Sequence, residues 1–293
     1  MKIASISNII LALILLISAP LQAAEKSDSI AQQRAINNTQ FKPKQLILPA
    51  ALIAVGASSL FLSPMEELDH SLNRSFQELR GKNNRIQLDE YLRFAPLAAN
   101  YVLHFSGVKS GYNTRDQLLL TATSYAAMYA LTQGLKHTVD KTRPDGSDNH
   151  SFPSGHVATA FLSAEQLRMN YGTWWGVAGY TFATGTAFLR LYNNRHWLGD
   201  VIGAAGIGIL SARIGYWLLP LEKKILGLNK EQANTSFFAF PSYNNLTKSY
   251  GIALALQFKK LYKYGISTTT QLIGTRYRNQ HIPDYRSFPP DCN

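Results

Sequence analysis

The chain has 293 residues, 46% of them hydrophobic, and a formal net charge of +11. That is enough apolar material for one large domain plus a tail, and the positive balance points to an anionic partner such as a phosphate ester, an acidic lipid or a nucleic acid. Nucleic acid is set aside because the chain has no zinc-finger spacing, basic helix or aromatic RNA-binding strand, and the single cysteine, Cys292, excludes an intrachain disulfide and a thiolate metal site.

Residues 1–24 have the order of a secretory signal. Lys2 precedes an apolar run from Ile9 to Ile17, then Pro20 and the small residues ending at Ala23 and Ala24. The alternative is an uncleaved anchor. Either way the chain after Glu25 is expected outside the cytoplasm, in a bacterial cell envelope: at the inner membrane with a periplasm-facing site, or in the periplasm. Residues 25–44 are polar and read as a flexible lead-in.

Residues 45–228 are expected to form one all-α domain, a bundle of about six core helices. From Gln45 to Met65 no Asp, Glu, Lys or Arg occurs, a length that can cross a bilayer as one helix. Leu68, Leu72, Phe76 and Leu79 then recur at helical spacing among charged residues, up to a turn at 81–84. Further uncharged stretches cover 94–108, 117–135 and 171–189, and another runs from 201 past Arg213 to 221. The small-residue run from Gly203 to Gly208 allows close helix packing. This pattern fits a membrane bundle of five or six spans, which the number of apolar stretches favours, or a soluble bundle with unusually apolar helices. Residues 229–293 carry eight Lys or Arg against three Asp or Glu and read as a basic tail of short strands or irregular structure.

Three blocks carry the chemistry. The first runs from Lys136 to Arg143 and Pro144. Lys and Arg seven apart are two helical turns apart, so both are expected on one side of a helix ending before the proline. The second is Pro153-Ser154-Gly155-His156, at the start of a helical stretch. A Ser hydroxyl and a bare Gly amide at a helix start favour an anion, and His156 beside them can serve as general acid. The third holds Arg190, His196 and Asp200. A carboxylate four residues from an imidazole can fix its tautomer and leave the other nitrogen nucleophilic. Each block alone has a plain structural explanation: a cationic helix end, an ordinary N-cap, a helix-start histidine with a solvated Asp. Together they are the parts of a phosphoryl-transfer site without metal. His137, Asp140 and Lys141 read as solvated helix positions. Asp145 and His150 lie close enough in sequence to touch substrate, and His70, His104 and His281 read as structural.

These blocks, Lys-x6-Arg-Pro, Pro-Ser-Gly-His and Arg-x5-His-x3-Asp, resemble the type 2 phosphatidic acid phosphatase and vanadium haloperoxidase superfamily. One position departs from the pattern: Leu189 stands where the family has Ser before the Arg. The setting of the second and third blocks looks like the bacterial branch of periplasmic lipid phosphatases. The resemblance implies that His196 attacks phosphorus and becomes a phosphohistidine, that Asp200 orients it, and that His156 protonates the departing oxygen and then activates water. Lys136, Arg143, Ser154, Gly155 and Arg190 would bind the phosphoryl oxygens. It implies no metal and no cofactor, a phosphorylated lipid as substrate and a membrane as partner; the sequence sets no oligomeric state. Two rivals stand beside this reading: a vanadate-dependent haloperoxidase and a non-catalytic lipid-binding protein.

Overall fold

The structure, a computed structural model, describes residues 27–81, 85–228, 235–244, 249–262 and 265–277. The expected signal at 1–24 and His281 lie outside the described residues. The chain divides into two compact units between Leu226 and Gly227.

The first unit is a helical bundle. Its α-helices are α1 (Ser27–Thr39), α2 (Ile47–Ser58), α3 (Ser63–Arg80), α4 (Asp89–Leu92), α5 (Ala95–Phe105), α6 (Thr114–Thr138), α7 (Gly155–Tyr171), α8 (Thr173–Tyr192) and α9 (Leu198–Ile225). The inner helices are α7 and α9. Helix α9 packs on α2, α6 and α7, while α7 also packs on α8 and α5. Their contact surface is built from small residues, with Ala158, Ala204, Ala205 and Ala212 buried around Val157 and Leu162. Close approach is literal at two points. A Cβ on Gly56 of α2 would stand 2.3 Å from the Gly203 nitrogen of α9, and one on Gly208 would stand 2.4 Å from the Ala158 oxygen of α7. Neither position can hold a larger residue without moving a helix.

Three readings of the sequence change here. The lead-in contains helix α1, which docks on the bundle: Arg34 and Asn38 donate to the Asn170 and Met169 carbonyls, and the Tyr112 hydroxyl donates to the Ala35 carbonyl. The uncharged run from Gln45 to Met65 is not one straight helix. It breaks after Ser58, and the segments Pro43–Ser58 and Ser63–Arg80 meet at 84°. Pro64, in the first turn of α3, favours a fresh helix start there. Finally, among the described residues one helix, Leu198–Ile225, is by itself long and apolar enough to cross a membrane, or two candidates if the bent pair counts as one span. Helices α2 and α5 are only 12 and 11 residues long. Ser, Thr, Gln and Gly interrupt the apolar character of α6 and α8.

The amphipathic helix expected from Leu68 onward forms as α3, but Leu68 and Leu79 are exposed and Asp69 is buried. It ends at Gly81, whose φ of 65° is a left-handed value that suits glycine.

The second unit contains an antiparallel sheet in the order β1-β2-β3, formed by β1 (Thr235–Asn244), β2 (Ser249–Tyr262) and β3 (Gly265–Tyr277). Thr235 pairs with Phe258, and Tyr262 with Gly265; the register shifts between Leu254 and Ala255. The strands expected in the tail are therefore present, and they are long.

Candidate active site

The three sequence blocks meet where the C-terminal ends of α6 and α8 gather with the N-terminal ends of α7 and α9. Helix α6 stops at Thr138, capped by Val139 in extended conformation. Arg143 therefore does not share a helix face with Lys136. It sits on the following loop, whose backbone pairs Lys141 with Asn149 and Arg143 with Asp148. The Lys136 ammonium donates to the His150 carbonyl, and the His150 Nδ1 lies 2.9 Å from the Lys136 carbonyl, so the loop is fastened to the helix end. The Arg143 Nε donates to Asp148 at 2.8 Å. Asp145 is engaged by Arg85 and Arg195.

Ser154 and Gly155 open α7. The Ser154 side chain is fully buried and its Oγ has no hydrogen-bond partner. A Cβ at Gly155 would meet nothing within 4 Å, so the backbone there faces open space. Helix α7 thus presents a free hydroxyl and an approachable amide at its positive end, the arrangement an anion needs.

Arg190, in the last turn of α8, is 5% exposed and donates through Nη1 to Asp89 of α4 at 2.7 Å. Its Nε is buried without a partner. His156 and Glu90 form the next contact: Nε2 lies 3.0 Å from Oε2. Asp89, Glu90 and His156 bring three possible metal-ligand atoms within 4.8 Å of one another. Arg190 on Asp89 and Arg93 on Glu90 already neutralise that group, and both would repel a divalent ion.

His196 is 2% exposed and Asp200 is fully buried. His196 does not lie on a helix with Asp200, because α9 begins at Leu198 with Trp197 as its N-cap. The His196 Nδ1 is 2.9 Å from the Ser151 carbonyl and 3.6 Å from Asp200 Oδ2. A carbonyl only accepts, so Nδ1 carries the proton and Nε2 carries the lone pair. Asp200 Oδ2 is shared between the Ser151 hydroxyl and the Trp197 amide. The carboxylate therefore acts on His196 mainly as a nearby charge, with Ser151 as the group that fixes the tautomer.

Burial holds the His196 pKa down to about 4, against the pull of Asp200, and the charges of Arg190 and Arg143 add to the lowering. Burial also brings Lys136 down to about 8, reinforced by Arg143 and opposed by Asp148. The His156 pKa is lowered by burial and by Arg190, while Glu90 opposes the shift. The cations that act on Lys136 are the ones that act on His196, so the three blocks share one electrostatic neighbourhood.

Sequence reasoning missed four residues here. Lys141 is not a solvated helix position: its Nζ lies on the loop, 2.9 Å from Asp69 Oδ2 and 3.1 Å from Asp200 Oδ1. Asp69, Asp89 and Glu90 complete the set. One signal existed for Asp69, a carboxylate in the row that carries Leu72 and Phe76 three and seven residues on. His104 contacts Thr114 and Gln117, as a structural histidine does.

Residues 117–224 match the profile of the PAP2 superfamily, and that span holds all three blocks. The chain carries a PAP2 superfamily domain. It is 31% identical over 234 residues to the lipid A 1-phosphatase of Porphyromonas gingivalis, an alignment covering 73% of this chain and 51% of that protein. The chain thus spans about half the length of the curated relative it matches. Two solved structures are also similar. The crystal structure of Aquifex aeolicus LpxE aligns at 19% identity over 53% of this chain and 96% of that one, with a TM-score of 0.40. The crystal structure of the first transmembrane PAP2 type phosphatidylglycerolphosphate phosphatase, from Bacillus subtilis, aligns at 17% identity over 77% and 97% of the two chains, with a TM-score of 0.25.

Proposed function

We propose that this protein is a metal-independent phosphatase that removes phosphate from a phosphorylated lipid through a phosphohistidine. The observation that carries this is the state of His196: neutral, buried, its Nδ1 proton held by the Ser151 carbonyl and its Nε2 left as a lone pair. In the first step Nε2 attacks phosphorus, the bond from phosphorus to the lipid oxygen breaks, and His156 delivers a proton to that oxygen. In the second, water attacks the phosphohistidine, His156 takes a proton from it, and the N–P bond breaks to release inorganic phosphate. Lys136, Arg143 and Arg190 offset the charge on the phosphoryl oxygens, and Ser154 Oγ and the Gly155 amide donate to them. The unpartnered Ser154 Oγ and Arg190 Nε are supplied with partners by a bound phosphoryl group.

The substrate class follows from the relative's name together with the outer surface of the bundle. Ile47 and Val55 on α2, Val102 and Phe105 on α5, and Leu118 and Tyr129 on α6 all point outward. Apolar side chains on three helices of one bundle suit contact with lipid. With the signal-like start, this supports a protein of the bacterial cell envelope whose site opens at the periplasmic face of the inner membrane.

Phosphate release from a panel of lipid phosphates by the purified protein in detergent, with EDTA throughout, tests the reading. Release from at least one lipid phosphate is expected, with inhibition by vanadate. Release that stops in EDTA and returns with a divalent ion would rule out metal independence, and a protein inert on every lipid would rule out the activity.

A further inference from the structure

Beneath the nucleophile lies a buried charge cluster that joins Lys141 and Asp200 to Asp69, a residue outside the three blocks. The Lys141 ammonium donates to Ser59 Oγ at 3.0 Å and to Asp69 Oδ2 at 2.9 Å, and it forms an ion pair with Asp200 Oδ1 at 3.1 Å, an oxygen that is buried and accepts no hydrogen bond. The side chains of Lys141, Asp69 and Asp200 are 15%, 4% and 0% exposed. Asp69 Oδ1 in turn accepts from the Gly199 amide at 2.8 Å, one residue before Asp200. The cluster therefore ties the loop after α6 to the end of α2, to the middle of α3 and to the first turn of α9.

We infer that Lys141 is a positioning residue for the phosphoryl-transfer step, holding Asp200 so that its Oδ2 edge stays turned toward His196. Two carboxylates lie close together in this cluster with one cation between them. Without the cation they cannot both stay ionised away from water, and one would take up a proton. With it, Oδ1 of Asp200 is pinned on the far side and Oδ2 is presented to Ser151, Trp197 and His196. The groups facing the cluster are Ser59, which caps the end of α2, Asp69 from α3, Ser151 and Lys141 from the loop, His196, and the Gly199 amide of α9. Arg143 and Arg190 act on His196 from the substrate side. Asp69 is the anchor: it holds Lys141 in place and fixes the start of α9. The inference rests on the phosphatase reading above.

Steady-state kinetics on p-nitrophenyl phosphate test it, with wild type, Lys141→Met, Asp69→Asn and the double variant compared. Misplacement of a catalytic group costs up to about 10²-fold, so Lys141→Met is expected to lower kcat by about 10–10² with little change in KM. Its acid limb should move to higher pH, because a carboxylate of the unscreened pair must first lose its proton. Asp69→Asn keeps Lys141 on Asp200 and should lose less. The deciding result is the double variant: removing Asp69 from the Lys141→Met background removes the repulsion, so kcat should recover above that of the single variant. A clamp that serves only the fold predicts the opposite, a double variant worse than either single. That outcome, or wild-type kcat in Lys141→Met, overturns the inference. Should Lys141→Met fail to fold, Asp69→Asn decides, and a loss there as large as that of His196→Ala also overturns it. Wild type inert on every phosphate ester overturns the phosphatase reading instead, and this inference with it.

Discussion

His196 and Ser151 are joined by a hydrogen bond of 2.9 Å from the imidazole Nδ1 to the backbone carbonyl, shorter than the 3.6 Å from the same nitrogen to Asp200. The tautomer that leaves Nε2 nucleophilic is thus fixed by main chain rather than by the carboxylate. Where an Asp alone fixes a catalytic histidine, its change to Asn costs about 10⁴-fold in kcat through the wrong tautomer. Here Asp200→Asn should cost clearly less, because the Ser151 carbonyl still takes the Nδ1 proton. A loss as large as that of His196→Ala, measured as kcat on p-nitrophenyl phosphate, would return the orienting role to Asp200.

His156 is expected to show its role through the leaving group. General acid catalysis contributes about 10²–10⁴-fold, and an alkoxide needs the proton far more than p-nitrophenolate does. His156→Ala should therefore lose most of that factor in the rate of phosphohistidine formation from a lipid phosphate and much less in that from p-nitrophenyl phosphate. Equal losses of that rate with both substrates would remove the leaving-group proton from His156.

The pH profile follows from the same two histidines. His196 attacks only when neutral, and its pKa is held down to about 4, so the acid limb should lie well below the ordinary histidine range. His156 must carry its proton to serve as acid, and its pKa is lowered, so activity on a lipid phosphate should fall before the ordinary histidine value is reached from below. The optimum is therefore acidic. Glu90→Gln removes the carboxylate that favours the protonated form of His156 and should move the alkaline limb to lower pH. A limb that stays in place in this variant would separate Glu90 from the acid.

Much of the site was legible because each block is local. Pro153 to His156 lie side by side in the chain, and Arg190, His196 and Asp200 span eleven residues. The fold class followed from runs of uncharged residues, and the close packing near Gly203 from its small neighbours. What was not legible lies in long-range pairs: Asp69 is 72 residues from Lys141, Glu90 is 66 from His156, and Asp89 is 101 from Arg190. Each charged residue there looks like a solvated one until folding supplies its partner. The shared helix face proposed for Lys136 and Arg143 failed because Val139 ends α6 in extended backbone, and the sequence between Thr138 and Pro144 carries no strong stop signal before the proline.

The most direct test of the account is to trap the covalent intermediate. Wild type, His156→Ala and His196→Ala are each mixed with p-nitrophenyl phosphate, whose leaving group needs no proton, quenched rapidly under alkaline conditions, and read by intact mass and by mapping of the modified residue. The account predicts an acid-labile phosphohistidine at His196 in wild type, its accumulation in His156→Ala where the water step is slowed, and none in His196→Ala. A phosphorylated His196→Ala protein, or modification mapped to His156, would contradict it.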